Sequence, residues 1–263
     1  MQTEMPTSKK HFEDWKTFQI DGRYKALVMS DIHVPYHNGR IIKAAVKYAK
    51  DRKCNLVLLN GDLMDFYAVS RWEVDPRQRD FGNEIRAGRQ FLKWLRGQFP
   101  NARIIFKEGN HDERWEKYIL SKTPDLLRLK EFSLSALLKL EELNIELVGD
   151  CQPIGLGKLM VIHGHEYKFS ISNPVSPARG MLLKALQSTL CGHFHQTSQH
   201  TQQRLDGHII CTMSTGCMCD MRYGYAPINN HNHGFAIVEV LKDGTYNPEN
   251  HRIIHGKVYQ WQP

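Results

Sequence analysis

Five short segments gather most of the residues in this chain that could do chemistry: Asp31-Ile32-His33, Gly61-Asp62-Leu63-Met64-Asp65, Gly109-Asn110-His111-Asp112, His163-Gly164-His165 and Gly192-His193-Phe194-His195. Carboxylates mixed with neutral imidazoles and an amide oxygen suit Mn²⁺, Fe²⁺ or Zn²⁺ better than Mg²⁺ or Ca²⁺, which prefer oxygen alone. Two such ions side by side need a carboxylate between them and imidazoles around them, so that each shell is completed without cancelling the charge that activates water. Composition alone would produce Asp-x-His about 0.75 times in this chain, so that fragment says little by itself. Gly-Asn-His-Asp is expected only about 0.003 times, and Gly-Asp-x-x-Asp and Gly-His-x-His about 0.05 times each. Their joint occurrence points to a built site rather than to unrelated surface turns.

Each segment directly follows an apolar run that reads as a strand: residues 25–30 (KALVMS), 55–60 (NLVLLN), 103–107 (RIIFK), 158–162 (KLMVI) and 188–191 (STLC). Between the first three lie helical patterns. Residues 38–52 place Ile42, Ala45, Val46 and Ala49 on one face behind Asn38 as N-cap, and residues 83–99 turn Ile85, Leu92, Leu95 and Phe99 inward. Strand, helix, strand, helix implies parallel pairing, and ligand sites assemble at the carboxyl ends of such strands. Beyond residue 198 the pattern changes to short extended pieces, at 207–212, 235–241 and 252–259, with a turn at 242–245 and no helix. The expectation is an α/β first half and a largely antiparallel second half around one core. Residues 1–21 read as an N-terminal extension and 22–263 as the domain.

The blocks DxH, GDxxD, GNHD, HG and GHxH, in this order, resemble the calcineurin-like metallophosphoesterases over roughly residues 25–235. The resemblance implies an α+β, four-layer αββα sandwich of two mixed sheets, with two divalent metal ions at the sheet ends. It implies Asp31, His33 and His195 as ligands of the first ion, Asn110, His163 and His193 as ligands of the second, and Asp62 as the bridge. The ions are expected to be Mn²⁺, with Fe²⁺ or Zn²⁺ as alternatives. The implied reaction is in-line attack on phosphorus by hydroxide held at the metals. His111 is expected as general acid with Asp112 orienting it, and Asp65 as the partner that fixes a ligand such as His33. His37 and His165 are placed as further partners of the ligands or of the substrate.

The choice of phosphoester rests on less. Serine/threonine protein phosphatases carry GDxVDRG and RGNHE, whereas here Asp65 is followed by Phe66-Tyr67 and Gly109 is preceded by Glu108, which disfavours that activity. The chain carries a formal charge of +7, and residues 71–107 hold nine Lys or Arg against four acids. Arg86, Arg89, Lys93 and Arg96 step along one helix beside the apolar face, and Phe66, Tyr67 and Trp72 could stack on bases. The expected substrate is therefore a phosphodiester in DNA, RNA or a nucleotide, with Arg71, Arg86, Arg89 and Arg96 as nucleic-acid contacts. The alternatives are a phosphomonoesterase for a small nucleotide or metabolite and a non-catalytic interaction module, the latter opposed by the intact ligand set. A proline-interrupted loop at 167–179 is a second specificity segment.

With 263 residues, 41% hydrophobic and 24% charged, the chain can bury a large core without a staple. No apolar run reaches the roughly 18 residues that span a bilayer, and the first residues, MQTEMPTSKKHFEDWK, lack a signal-peptide core. A cytoplasmic setting without membrane contact is expected, with the six cysteines reduced. Cys211, Cys217 and Cys219 are spaced C-x5-C-x-C without a paired C-x2-C, so they read as structural thiols rather than as a separate zinc site. No Walker loop or serine or cysteine nucleophile motif is present.

Overall fold

The computed structural model describes residues 5–7, 16–72, 75–149, 151–167, 175–222 and 228–260. Thirteen strands are described: β1 (Phe18–Ile20), β2 (Tyr24–Met29), β3 (Leu56–Asn60), β4 (Arg103–Lys107), β5 (Ile145–Val148), β6 (Ile154–Leu156), β7 (Leu159–Val161), β8 (Thr189–Cys191), β9 (Ser198–Gln203), β10 (Ile209–Ser214), β11 (His233–Val240), β12 (Tyr246–Ile254) and β13 (Lys257–Gln260). The α-helices are α1 (Gly39–Asp51), α2 (Phe81–Gln98), α3 (Arg114–Lys122), α4 (Leu134–Leu138) and α5 (Pro177–Ala185). One sheet runs in the order β13-β12-β11-β2-β3-β4-β5, the other β1-β6-β7-β8-β10-β9, and both mix parallel and antiparallel pairs.

The period-two alternation of strand side chains sorts the residues of β2 into two layers. Ala26 and Val28 join Leu58, Ile105 and Val238 against Leu156, Leu159, Val161, Leu190 and Met213 of the opposite sheet. Leu27 and Met29 face the other way and pack with Ile42, Ala45, Val46 and Ala49 of α1 and Ile85, Leu92 and Leu95 of α2. A smaller cluster, Ile162, Met181, Cys191 and Phe194, seats α5 on the outer side of the second sheet. The layering is therefore α1/α2, sheet, sheet, α5: the four-layer α+β sandwich. Asn38 caps α1, its side chain accepting from the Ile41 N–H at 3.2 Å.

Several expected boundaries move. Phe18–Ile20, inside the stretch read as an extension, pairs in parallel with β6 and forms an edge of the second sheet. The extended piece expected at 252–259 is a hairpin, because His255 and Gly256 take φ of 51° and 78° and reverse the chain. The second half is not a separate antiparallel unit either. β7, β8 and β10 pair in parallel, while β11 crosses into the first sheet beside β2. Strand β9 (SQHTQQ) has no apolar alternation to read, since it lies at a sheet edge with much of its surface in water.

The basic stripe of α2 is largely structural. Arg89 Nε donates to the Leu137 carbonyl at 2.8 Å. The Arg96 guanidinium donates to the carbonyls of Leu143, Phe99, Ala102 and Asn144 at 2.8, 3.1, 2.7 and 2.7 Å. Arg89 and Arg96 thus fasten the 134–144 segment to α2 and are corrected from nucleic-acid contacts to packing residues, which leaves Arg86 exposed on the helix. Arg96→Ala removes four charge-assisted bonds, three of them part-buried. It is expected to lower unfolding free energy by about 2–4 kcal/mol in urea titration and to leave nucleic-acid binding unchanged.

Candidate metal centre

Five strand ends converge on one cluster. The DxH turn after β2 and the GDxxD turn after β3 are stitched together by backbone bonds from Asp31 N to Gly61 O, at 3.1 Å, and from His33 N to Asp62 O, at 2.9 Å. Asp31, His33, Asp62, His193 and His195 all take φ between 51° and 65°. Non-glycine residues rarely hold this left-handed conformation, and its concentration in one cluster marks backbone bent to aim side chains inward. Gly109 is needed for the same approach: a Cβ there would lie 2.5 Å from the Asp62 amide nitrogen. The clearance lets the His111 N–H donate to Asp62 Oδ1 at 2.8 Å.

Asp62 occupies the centre. Its Oδ2 lies 3.2 Å from His163 Nε2 and 3.8 Å from His33 Nε2. Asp31 Oδ1 lies 3.1 Å from His195 Nε2 and 4.0 Å from His163 Nε2, while its Oδ2 accepts the His193 N–H at 2.9 Å. Donor atoms of Asp31, His33 and Asp62 fall within 4.8 Å of one another, as do those of Asp62, His163 and His193. Asp62 is common to both groups, which is the geometry two neighbouring ions require. Ring orientations are fixed from behind. The Nδ1 of His163 faces the Asn60 carbonyl at 2.9 Å, and the Nδ1 of His33 faces Asp65 Oδ1 at 3.0 Å, turning each Nε2 lone pair inward. Asn110 Oδ1 is buried and accepts no hydrogen bond, as a ligand oxygen awaiting a cation would be. The residues present fit a pair of divalent ions.

Electrostatics agree. Burial raises the Asp62 carboxyl's pKa, but His163, His111 and His33 outweigh it and hold that pKa well below the ordinary value. Burial opposes protonation of His163, yet the Asp62 carboxylate carries its pKa up to about 10. His193 moves the other way, to about 3, through burial and the nearby His163 charge. Without a cation, protons on His163 balance the carboxylates; an ion placed there would displace them.

Two expected roles change. Asp112 does not orient His111: its carboxylate is fully buried and accepts the backbone N–H groups of Leu63, Met64 and Gly109 at 3.3, 2.9 and 2.9 Å, locking the GDxxD and GNHD turns together. Asp65 takes that place, with the His111 Nδ1 3.1 Å from both its Oδ1 and its carbonyl oxygen. His37 lines a cavity of about 430 Å³ with Ile42, Phe91 and Trp94, on the helical side of the sheet, and belongs to none of the donor groups at the strand ends. His165 does lie at the second ligand group, its ring 5.3 Å from that of His163 and its Nε2 3.3 Å from Glu113 Oε1.

Sequence reading missed four residues. Arg114, one turn after His111, donates to His111 Nε2 at 3.0 Å and to the Asp65 carbonyl at 2.9 Å; its i,i+3 spacing was the available signal. Glu166 accepts the N–H groups of His163 and Gly164, and fully buried Lys107 lies 3.1 Å from it. Burial raises the Glu166 carboxyl's pKa, but Lys107 and the neighbouring histidines outweigh it and bring it down to about 2. Cys219 reaches the first ligand group, with donor atoms of His33, His195 and Cys219 within 4.8 Å. None of the six cysteines forms a disulfide. Of the loop expected at 167–179, residues 168–174 lie outside the described residues.

Two facing mixed sheets with an Asp/His/Asn donor cluster at their strand ends are the metallo-dependent phosphatase architecture. The chain belongs to the calcineurin-like phosphoesterase family, whose model matches residues 24–205. Over 249 residues it is 26% identical to the Gene 54 protein of Mycobacterium phage L5, covering 89% of this chain and 95% of that one. The Gene 54 protein of phage D29 is 25% identical over 248 residues, with the same coverage. Vacuolar protein sorting 29 from Cryptosporidium parvum superposes with a TM-score of 0.48 at 13% identity, over 92% of this chain and 97% of that one. No helix among the described residues is long and apolar enough to cross a membrane.

Proposed function

We propose that the chain hydrolyses phosphodiester bonds of single-stranded nucleic acid or of nucleotides with two divalent cations held by Asp31, His33, Asp62, Asn110, His163, His193 and His195. The observation that carries the substrate reading is a groove of about 720 Å³ that opens onto Asn110. Arg71, Arg79, Arg114, Lys117 and Lys122 line it, together with Trp72 and Tyr118. Trp72 is 65% exposed, with the Arg71 guanidinium 5.0 Å from its ring centroid, a flat cationic platform of the kind on which unpaired bases stack. A phosphomonoesterase for a small metabolite needs no such extended cationic wall.

When bound, the ions would neutralise developing charge on the non-bridging oxygens and supply an activated water. The chain's residues do the rest. Asp65 faces the His111 Nδ1 and leaves Nε2 against Arg114, a residue of the groove wall, where the charged form of the ring could give a proton to a leaving oxygen. Arg114 contacts that Nε2 and lines the groove, so an arriving phosphate draws the guanidinium off His111 and frees the nitrogen.

The groove is tested by reversing Arg71 and Lys122 to Glu and titrating a labelled single-stranded oligonucleotide at several salt concentrations. Loss of two phosphate contacts should lower affinity and flatten the log–log salt slope by roughly 1.4, while metal content stays unchanged. An identical slope in variant and wild type would remove the groove from substrate binding. In parallel, Mn²⁺-supplemented turnover should favour bis-p-nitrophenyl phosphate over p-nitrophenyl phosphate; the reverse order would make the protein a phosphomonoesterase.

A further inference from the structure

Cys219 lies where the first ion would sit, although its sequence context marks it as an ordinary core thiol. It is fully buried, and its donor atom groups with those of His33 and His195, which are 2% and 7% exposed. The segment that carries it is fastened to the DxH loop at three points. Met218 N donates to Asp31 O at 3.0 Å, Asn38 N to Met218 O at 2.8 Å and Asp220 N to Tyr36 O at 2.8 Å, and residues 37 and 219 form an isolated bridge. Neighbouring Cys217 touches Cys219 but belongs to neither donor group: it is bridged to His233, with its Sγ 4.0 Å from the His233 Nδ1. The sulfur is thus positioned by backbone rather than by a flexible loop.

We infer that Cys219 supplies a sulfur donor to the first ion site and biases that site towards a thiophilic ion. The inference rests on the two-ion reading above and adds to it a reason for metal choice. Nitrogen and oxygen donors alone leave Mn²⁺, Fe²⁺ and Zn²⁺ all acceptable, whereas a thiolate favours Zn²⁺ and Fe²⁺ over Mn²⁺. Ion binding releases the thiol proton to solvent, so the S–H bond is exchanged for a sulfur–metal bond with no oxidant involved. On this inference the first site would prefer Zn²⁺ or Fe²⁺, the two alternatives to Mn²⁺ that the sequence allowed. The second group, Asp62, Asn110, His163 and His193, contains no sulfur and keeps the broader preference.

The full-length protein is loaded with Co²⁺ and its near-ultraviolet absorption recorded. Wild type is expected to show a sulfur-to-cobalt charge-transfer band that Cys219→Ser abolishes and Cys217→Ser retains. In competition, the preference of the first site for Zn²⁺ over Mn²⁺ should fall roughly tenfold in Cys219→Ser. Zinc-edge X-ray absorption on the wild type should detect a sulfur scatterer, a measurement that depends on no variant folding. Two ions bound with neither band nor sulfur scatterer would overturn the inference and leave the two-ion reading standing, the thiol then being a packing contact of His195 and Cys217 rather than a donor to the ion. Failure of the wild type to bind any ion would end both.

Discussion

Asp62→Asn is expected to empty the metal centre, with ion content by mass spectrometry falling from about two per chain towards one or none. One Asp62 oxygen faces both His33 and His163, while the other anchors the His111 backbone N–H. Asparagine retains a single carbonyl oxygen and loses the negative charge, so neither site keeps its shared anion. The fold should survive, because residue 62 has φ of 53° and asparagine is among the residues that tolerate this conformation. Unfolding midpoints measured without metal at neutral pH should fall, because asparagine leaves His163 without the carboxylate that pairs with its proton. A wild type that binds only one ion would overturn the assignment of Asp62 as a bridge.

His111→Ala separates chemistry from metal binding. The imidazole touches Asp65 and Arg114 but is absent from both shared-donor groups built on Asp62, so ion content should stay at the wild-type level. Turnover of alkyl phosphodiesters, whose leaving oxygen needs a proton, should slow about 10²–10⁴-fold. Nitrophenyl esters leave without help and should slow much less. Equal losses on both would remove His111 from the acid role and leave it as a contact for the phosphoryl group. Because Asp65 rather than Asp112 holds the ring, Asp65→Asn should reproduce part of the His111→Ala defect.

The sequence displayed the donor set and its strand ends because both are local. Asp31, Asp62, Asn110, His163 and His193 each follow an apolar run within a few residues, and the strand carrying them brings them to the site. What stayed hidden depends on residues distant in the chain. Cys219 reaches His33 only because residues 217–220 pair with residues 31–38. Lys107 finds Glu166 only across the two sheets. Asp112 looked like a partner for the adjacent His111, but the tight turn sends its carboxylate back to the Leu63 and Met64 amides. The stripe on α2 shows the same limit: helical spacing placed Arg89 and Arg96 on one face but could not reveal that the 134–144 segment covers that face.

The position of β11 has a consequence for how the chain matures during synthesis. Strand β2, which delivers Asp31 and His33, is flanked by β3 on one side and by β11 on the other, from Tyr24↔Val240 to Val28↔Ala236. A nascent chain has β3 early, but one edge of its central strand stays open until His233–Val240 leaves the ribosome. Long-range pairing of this kind closes slowly, and an open apolar edge is a template for intermolecular association. Truncation ahead of β11 would therefore leave intact every proposed metal ligand while withdrawing the neighbour that shields the strand supporting two of them, so the product should accumulate as aggregate rather than as a smaller enzyme.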